Sequence, residues 1–336
     1  MAGFRWRDGE RTIVFGEGVL ELAPQLLGEH GFREYDLLTT PRALAEAPPE
    51  LAAQARAVHE VARASVPEAA GEVIENVSGD LVAFGGGRVI DAAKGVAAIV
   101  GGRVAAIPTT LAGSPITGFH RLPAGRESEF TGFVRCALVL ADPDPMTSSA
   151  EQQLRATAMN ALAHAAESLY APGANPVSEM AALRGAELIG RSLDTDRVRR
   201  DRGDLALGAV LGAYAIGSTG LALHHAVCQT LVLVLGLPHA ETNATMLPHT
   251  MSAMTHRAPR QIAALAGSLR TSAGAVGARI SELAGGSRRL SQLGVEINKA
   301  QIDTVLDALE ARGDIATNTP DPPDREQLRA LISGAW

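Results

Sequence analysis

The first half of the chain alternates short apolar runs with stretches of helical periodicity. The apolar runs predict strands at residues 12–15, 35–39, 80–84, 104–107 and 132–141. The amphipathic or Ala-rich stretches between them predict helices at residues 19–28, 49–64 and 87–98. Strands that are separated by helices favour a parallel sheet that is covered on both faces. The pattern therefore predicts an α/β fold for this half.

The second half has a different pattern. Long Ala- and Leu-rich stretches of helical periodicity cover residues 151–170, 176–190, 205–235 and 300–311. The third stretch is interrupted near Gly217 and Gly220, and strand patterns nearly disappear, which predicts an all-α domain. The Pro-rich polar stretch at 142–145 predicts the boundary between an α/β domain, residues 1–145, and a helical domain, residues 146–336.

Length and composition agree with two domains, because 336 residues exceed what one ordinary core holds. The net charge is −7 and no long basic tract occurs, which argues against a nucleic-acid partner. The charged N-terminus, residues 1–11, lacks the apolar segment of a secretory signal, and the longest apolar run, residues 231–237, is too short to span a membrane. We therefore expect a cytoplasmic protein in which Cys136 and Cys228 are buried free thiols.

A glycine triplet follows the strand predicted at residues 80–84 and precedes a predicted helix. Glycines let a phosphate approach the backbone, and a helix N-terminus offers unpaired N–H groups, although a tight structural turn explains a triplet equally well. The segment Ile-Pro-Thr-Thr-Leu-Ala-Gly-Ser, residues 107–114, places hydroxyl groups directly after the next strand. Because ligands of open parallel sheets collect at the carboxyl ends of strands, the two loops together predict a nucleotide crevice.

The helical half contains polar residues at regular spacing. Asn160 and His164 are four residues apart and share one helix face with Glu167, and His225 and Gln229 are again four apart. His239 follows a Leu-Pro turn, fourteen residues after His225. A histidine beside an asparagine on a helix is, by itself, more often a packed residue than a functional one.

Taken together, Gly-Gly-Gly-Arg-Val-Ile-Asp-Ala-Ala-Lys (85–94), the 107–114 segment and the spacing of the histidines resemble the iron-containing alcohol dehydrogenase superfamily. Met-Asn-Ala-Leu-Ala-His-Ala-Ala-Glu-Ser-Leu-Tyr (159–170) and Leu-Pro-His-Ala-Glu-Thr (237–242) are similar to its maleylacetate reductase branch. The resemblance implies a Rossmann-like α/β domain followed by an all-α domain, in the architecture shared with dehydroquinate synthases. It also implies NAD or NADP as cofactor and a homodimer.

The resemblance implies that the glycine triplet holds the pyrophosphate of the cofactor. The residues expected to bind the cofactor are Gly85, Gly86, Gly87, Arg88, Asp91, Lys94, Thr109, Thr110, Ser114, Thr117, Thr39 and Pro41. Arg88 stands where the family usually has serine. No acidic residue ends the strand at 35–39, so NADPH is expected to be tolerated beside NADH.

In the family an aspartate and three histidines hold a divalent metal, and the matching positions here carry Asn160, His164, His225 and His239. Asparagine is a neutral, poor ligand, and maleylacetate reductases are thought to work without a metal, so we expect none to be required; if one binds, the three histidines hold it. The catalytic candidates are these four residues together with Gln229 and His120. Gln229 replaces a histidine that the family uses for proton relay.

The sequence thus predicts an NAD(P)H-dependent, metal-independent reductase of a small carboxylated ketone or enoate, active in aromatic compound catabolism. A histidine cluster in the interdomain cleft would supply the proton. Two alternatives remain open at this point. Gln229 is compatible with a non-redox lyase or cyclase on the same scaffold, and with a protein that binds the nucleotide without turnover.

Overall fold

The computed structural model of the chain describes residues 3–295 and 298–336. Contacts divide the chain into two compact units, Met1–Ser149 and Ala150–Trp336, hereafter the first and the second unit. Within the described residues all strands lie in the first unit, and the second unit is helical. The predicted combination of an α/β part followed by an all-α part is therefore confirmed.

The first unit contains strands and mostly short helices. The strands are β1 (Phe4–Asp8), β2 (Arg11–Phe15), β3 (Tyr35–Thr39), β4 (Ala57–Glu60), β5 (Asp80–Gly85), β6 (Val104–Pro108) and β7 (Leu138–Ala141). The helices are α1 (Ala23–Glu29), α2 (Pro41–Ala45), α3 (Pro49–Ala53), α4 (Val66–Val73), α5 (Gly87–Val100) and α6 (Pro143–Met146), with a 3-10 turn at Ile74–Asn76.

The strands form one sheet, seven-stranded over the described residues, in the order β1-β2-β7-β6-β5-β3-β4. Neighbouring strands are parallel except β1, which pairs antiparallel with β2. Every residue of β3, β6 and β7 is buried, as are all residues of β5 after the first. Successive residues of a strand point to opposite faces, so this burial shows that both faces are covered, as continuous apolar runs in a parallel sheet require.

The adjacent strands β5 and β6 position the candidate nucleotide loops. Gly85 lies opposite Pro108 in the register, and the Thr109 amide donates to the Gly85 carbonyl at 3.0 Å. Helix α5 begins immediately after β5, with Gly86 in extended conformation as its N-cap. Because both strands end at the same edge of the sheet, the segments that follow them are neighbours.

The helix predicted at residues 49–64 is wrong in its second half. Helix α3 ends at Ala53, and the Arg56 amide donates to the Tyr35 carbonyl at 2.8 Å, which starts the pairing of β4 with β3. Strand β4 is an edge strand whose residues alternate between half-buried and exposed, so it shows no apolar run. The charged strand β1, at the opposite edge, has the same alternation and was missed for the same reason.

Two further details of the first unit differ from the prediction. The strand predicted at residues 132–141 is confined to Leu138–Ala141. The stretch at 142–145, where the domain boundary was predicted, begins helix α6, because the Asp142 carboxylate accepts the Asp144 amide at 3.0 Å and caps the helix. The same carboxylate accepts the Leu20 amide at 3.0 Å, which ties α6 to the loop after β2.

The second unit consists of helices joined by short connections, and its described residues include no strand. The helices are α7 (Glu151–Ser168), α8 (Pro176–Leu193), α9 (Arg202–Thr219), α10 (Leu223–Leu235), α11 (His239–Arg257), α12 (Pro259–Ser268), α13 (Val276–Leu283), α14 (Lys299–Glu310), α15 (Gly313–Asn318) and α16 (Arg325–Gly334), with 3-10 turns at Ala273–Ala275 and Leu290–Leu293.

Helices α7, α8 and α9 pack with their backbones in close approach. A Cβ atom on Gly185 of α8 would lie 2.9 Å from the Gly208 carbonyl oxygen of α9. A Cβ atom on Gly212 of α9 would lie 2.7 Å from the Ala161 carbonyl oxygen of α7. Any side chain at these positions would push the helices apart, so the glycines hold α7 firmly against its neighbours.

The predicted interruption of the 205–235 stretch is confirmed at Gly220. Helix α9 ends at Thr219 because Gly220 adopts a left-handed φ of +88°, which favours glycine, whereas Gly217 lies inside α9. Within the described ranges no single helix is long and apolar enough to cross a membrane. Helices α9 and α10 meet that criterion only as a pair, with a bend of 97°.

Candidate active site

Two of the predicted histidines lie against each other in the second unit. The rings of His164, on α7, and His225, on α10, stack with centroids 4.9 Å apart and planes 7° apart. Both side chains are more than nine-tenths buried. His239, the first residue of α11, is electrostatically coupled to both. These three residues are hereafter the histidine cluster.

Glu167 holds His225 in place. Its fully buried carboxylate accepts the backbone amides of His224 at 2.6 Å and His225 at 3.2 Å through Oε1. Its Oε2 atom lies 2.5 Å from His225 Nδ1. The carboxylate therefore accepts the two amides at the start of α10 that lack acceptors within the helix, and it directs the Nε2 atom of His225 away from itself.

Burial opposes positive charge on these imidazoles. Burial, with His239 as a secondary cause, lowers the pKa of His225 to about 3. Burial also lowers the pKa of His164 well below its usual value, with His225 and His239 as secondary causes. The pKa of Glu167 is raised by burial. Without a bound anion, His164 and His225 are therefore neutral, and His225 donates its Nδ1 proton to Glu167.

Three buried polar atoms of this region have no hydrogen-bond partner among the described residues. They are Asn160 Oδ1, His164 Nδ1 and His225 Nε2. Asn160 lies one turn before His164 on α7 and is 8% exposed. Buried polar atoms of folded proteins are nearly always paired, so three unpaired ones beside each other mark a place where a polar ligand binds.

A second chain of contacts positions His239. The Asn243 amide donates to the His239 carbonyl at 2.8 Å and lies 3.4 Å from His239 Nε2. Asn243 Oδ1 lies 2.9 Å from His224 Nε2, and His224 Nδ1 lies 2.9 Å from the Thr250 hydroxyl. Burial lowers the pKa of His224 to about 3. His224 is thus a neutral ring with both nitrogens engaged, and it does not replace the missing relay histidine.

Gln229 lies one turn after His225 on α10 and faces a basic residue that the sequence did not indicate. Arg312 Nη2 donates to Gln229 Oε1 at 3.2 Å. The same guanidinium binds the Asp314 carboxylate, with Nε donating to Oδ1 at 2.9 Å and Nη2 to Oδ2 at 2.5 Å. Arg312 directly precedes α15, which is fastened to the start of α10 by Asn318 Nδ2 donating to the Leu221 carbonyl at 2.9 Å.

In the first unit the structure brings the two predicted nucleotide loops together. A Cβ atom on Gly86 would lie 3.2 Å from Thr110 Cγ2. A Cβ atom on Gly87 would lie 2.9 Å from Ala112 Cβ and 3.3 Å from Ser114 Oγ. Glycine is therefore required at residue 87, and the first amides of α5, which lack acceptors within the helix, face this approach. We call this arrangement the glycine cradle.

Lys94 has a structural task in the cradle. Its ammonium group is fully buried and donates to the carbonyls of Ser114 at 2.9 Å, Thr117 at 3.3 Å and Phe119, and it lies 3.0 Å from Asp91. The ammonium group therefore fixes the loop that carries Ser114. The predicted direct contact of Lys94, Asp91 or Thr117 with the cofactor stays a prediction.

The other predicted cofactor residues have distinct surroundings. The Thr39 hydroxyl is buried and donates to the Phe84 carbonyl at 2.8 Å, so it links β3 to β5. Pro41 begins α2, with Thr40 as its N-cap, and its predicted contact with the cofactor stays a prediction. Arg88, in the first turn of α5, has a buried Nε atom without a hydrogen-bond partner among the described residues. Its pKa is lowered by burial and by Arg63, and the predicted contact of Arg88 with the cofactor stays a prediction.

His120 belongs to the first unit and is not part of the histidine cluster. Its ring lies 5.9 Å from the Phe130 ring, and burial, with Lys94 as a secondary cause, lowers its pKa. Neither ring nitrogen has a hydrogen-bond partner within residues 3–295 and 298–336. A catalytic role of His120 stays a prediction.

The sequence did not single out Asn243, and it placed Glu167 on the site face of α7 without a role. A local signal existed for both, because Asn243 follows His239 by four residues and Glu167 follows His164 by three. Arg312 lies far along the chain and had no local signal.

Comparisons with known proteins identify the family to which the chain is similar. A family model described as the C-terminal part of the Fe-containing alcohol dehydrogenase family matches residues 155–336. Maleylacetate reductase 1 of Rhodococcus opacus is 34% identical, over 76% of this chain and 72% of that protein. Maleylacetate reductase of Burkholderia cepacia is 31% identical, over 96% of this chain and 95% of that protein.

Solved structures give the same result. A maleylacetate reductase from a Rhizobium species superimposes with a TM-score of 0.85 at 27% identity, over 100% of this chain and 98% of that chain. The maleylacetate reductase of Agrobacterium tumefaciens gives the same values. An iron-containing alcohol dehydrogenase of Thermotoga maritima, at 20% identity, has a TM-score of 0.81 over 99% of both chains and shares the fold.

Proposed function

Because the chain belongs to the iron-containing alcohol dehydrogenase family and is an oxidoreductase, we propose that it reduces a small carboxylated ketone or enoate with NAD(P)H. The maleylacetate reductases among its relatives make maleylacetate the first substrate to test. The observation that carries the proposal is the set of unpaired buried atoms on Asn160, His164 and His225.

The glycine cradle fits the cofactor of this family, which is NAD(P)-dependent. A Cβ atom at residue 87 would collide with Ala112 Cβ and push the 107–114 loop away from the start of α5, whose first amides could bind a pyrophosphate. Gly85 to Gly87, Thr110 and Ser114 would hold the cofactor, with Arg88 near its phosphates. The bound cofactor supplies the hydride.

Unlike the cofactor, the metal that members of this family usually bind does not match the residues of this chain. Asn160 stands at the position of the family's only anionic ligand and is neutral. Among the described residues, no group of three or more His, Cys, Asp or Glu side chains is arranged to hold a metal ion. The donor set therefore does not fit a resident divalent cation, and we propose a metal-independent reaction.

The side chains of the second unit would then provide the proton and stabilise the substrate oxygen. Asn160 and His164 can donate hydrogen bonds to a carbonyl oxygen. The carboxylates of an acidic substrate raise the pKa of nearby imidazoles, because a negative charge stabilises the protonated form. Substrate binding would thus bring a proton onto His225, which Glu167 orients, and His225 would release it to the substrate as the hydride arrives.

The proposal is tested by treating the purified protein with a chelator and following the absorbance of NADH or NADPH after maleylacetate is added. Consumption of the cofactor at a rate of about 1 per second or faster supports a metal-independent reductase. No consumption, with cofactor binding verified in the same sample, would contradict it.

Gln229 favours one alternative, a non-redox lyase or cyclase on the same scaffold, because an amide cannot relay protons. Conversion of an acid without net change of NAD(P)H would identify that activity. We further propose that the protein is a homodimer, which sedimentation of the purified protein would test. We also propose that it acts in the cytoplasm.

A further inference from the structure

Arg312 and Gln229 contact each other in the second unit, and both side chains keep N–H donors to which the proposed mechanism assigns no function. Gln229 Oε1 accepts from Arg312, so the amide nitrogen of Gln229, with its two N–H groups, points elsewhere. Gln229 shares the face of α10 with His225, one turn earlier. Gln229 and the unpaired Nε2 atom of His225 thus belong to one face of α10, a helical turn apart.

Arg312 brings a permanent positive charge to this face. Its Nε and Nη2 atoms are used by Asp314 and Gln229, whereas Nη1 has no hydrogen-bond acceptor among the described residues. The Arg312 side chain is 28% exposed, so a ligand can reach it. Asp314 binds one edge of the guanidinium and thereby fixes the direction in which the remaining N–H groups point.

We propose that Arg312 and Gln229 form a carboxylate subsite that selects dicarboxylic substrates. The Nη1 group of Arg312 offers charge-assisted N–H donors to a carboxylate oxygen, and the Gln229 amide adds a neutral donor. The subsite replaces an imidazole of the family with a donor that stays neutral at every pH, so it binds and does not relay protons. Asp314 is a positioning residue that acts through Arg312. This inference rests on the proposed function, of which it names the substrate class.

The subsite is tested by binding, without turnover. Adipate, a dicarboxylate, and hexanoate, its monocarboxylate counterpart, are titrated calorimetrically into the full-length protein and its variants. We expect the wild type to prefer adipate and Arg312→Ala to lose adipate affinity by about 10-fold or more, with hexanoate affinity unchanged. The matched control is Arg325→Ala, which removes a similarly exposed arginine of the same unit that pairs with Asp307 and Glu310, and it should bind adipate like the wild type.

Asp314→Asn separates recognition from structural support. This variant keeps the Arg312 charge, so adipate affinity should stay within about threefold of the wild type. Equal loss in Arg312→Ala and Asp314→Asn would assign both residues to the structure of α15 and overturn the proposal. Equal adipate affinity of the wild type and Arg312→Ala, or no adipate binding by the wild type, would overturn it as well.

The outcomes for the two proposals are distinct. If adipate binding depends on Arg312 and no acid consumes NAD(P)H, the subsite stands and the reductase proposal falls. If maleylacetate consumes NAD(P)H at the same KM in the wild type and Arg312→Ala, the reductase proposal stands and the subsite falls.

Discussion

The glycine cradle and the histidine cluster are built from different parts of the polypeptide. The cradle consists mainly of backbone, namely the turn at Gly85 to Gly87, the first amides of α5 and the loop that Lys94 holds through carbonyl oxygens. The cluster consists of side chains from three helices, among which Glu167 directs His225 and Asn243 contacts His239. A backbone site requires residues that are close in sequence, whereas a side-chain site depends on contacts between distant segments.

The largest effect is expected in the cradle, where a side chain has no room. Gly87→Val would place methyl groups against Ala112 Cβ, which is 2.9 Å from the position of a Cβ atom. We expect the affinity for NADPH, measured by fluorescence titration, to fall about 100-fold or more. The control is Gly28→Val, since a Cβ atom at Gly28 meets nothing within 4 Å. Unchanged affinity in Gly87→Val would show that the cofactor binds elsewhere.

A smaller effect is expected when a partner of the cluster is altered. Glu167→Gln keeps the shape, but its single oxygen is needed by the backbone amides of α10, so its NH2 group faces His225 Nδ1 and this ring nitrogen loses its acceptor. We expect kcat to fall by roughly 10- to 100-fold while the affinity for NADPH is unchanged. The downfield proton resonance of the His225 ring should shift in the same variant. If kcat and cofactor affinity fall together, Glu167 supports only the fold.

These two regions also differ in what the sequence could predict. The sequence predicts the glycine cradle, because a strand, the glycine turn at Gly85 to Gly87 and a helix follow one another directly, and the 107–114 segment follows the next strand. The sheet was predicted where both faces of a strand are buried, and edge strands such as β4 were missed because half of their residues face solvent.

In the second unit the four-residue spacings of Asn160 and His164 identified candidates on single helices. The contact of Arg312 with Gln229 joins residues 83 positions apart and had no local pattern. The ammonium group of Lys94 likewise points to carbonyls more than twenty residues away, which its motif position did not reveal.

Asn160→Asp would sharpen the comparison by returning an anionic ligand to the cluster. A carboxylate beside His164 and His225 supplies the charge compensation that a cation lacks here. We expect the zinc affinity, measured by competition with a chelating dye, to rise about 10-fold, equivalent to about 1.4 kcal/mol. Asn160→Ser is the control. Equal zinc affinity in the wild type and Asn160→Asp would mean that residue 160 does not set the metal requirement.

The smallest effect concerns the start of α7, the helix that carries Asn160 and His164. Arg200 and Arg155 lower the pKa of Glu151 to about 2. A lowered pKa stabilises the fold above the ordinary carboxyl pKa, and this stability is lost as the pH falls towards 2.

Glu151→Gln should therefore reduce the free energy of unfolding at neutral pH by about 0.5–1 kcal/mol, since the group is partly exposed. The difference should vanish in chemical denaturation at pH near 2. Glu179→Gln, on the exposed side of α8, is the control and should show no such dependence. A difference that persists at low pH would assign the effect to packing.

The close packing of α7, α8 and α9 has a consequence for how this protein can diversify. Since Gly185, Gly208 and Gly212 leave no space between these helices, α7 cannot slide or tilt without breaking backbone contacts. Asn160 and His164 are thus held on a rigid helix, and changes in substrate specificity are expected at site residues on other helices. Residues 229 and 312 lie outside these three helices, so substitutions there would alter the proposed carboxylate subsite without disturbing the glycine packing, and libraries for altered acid selectivity should begin there.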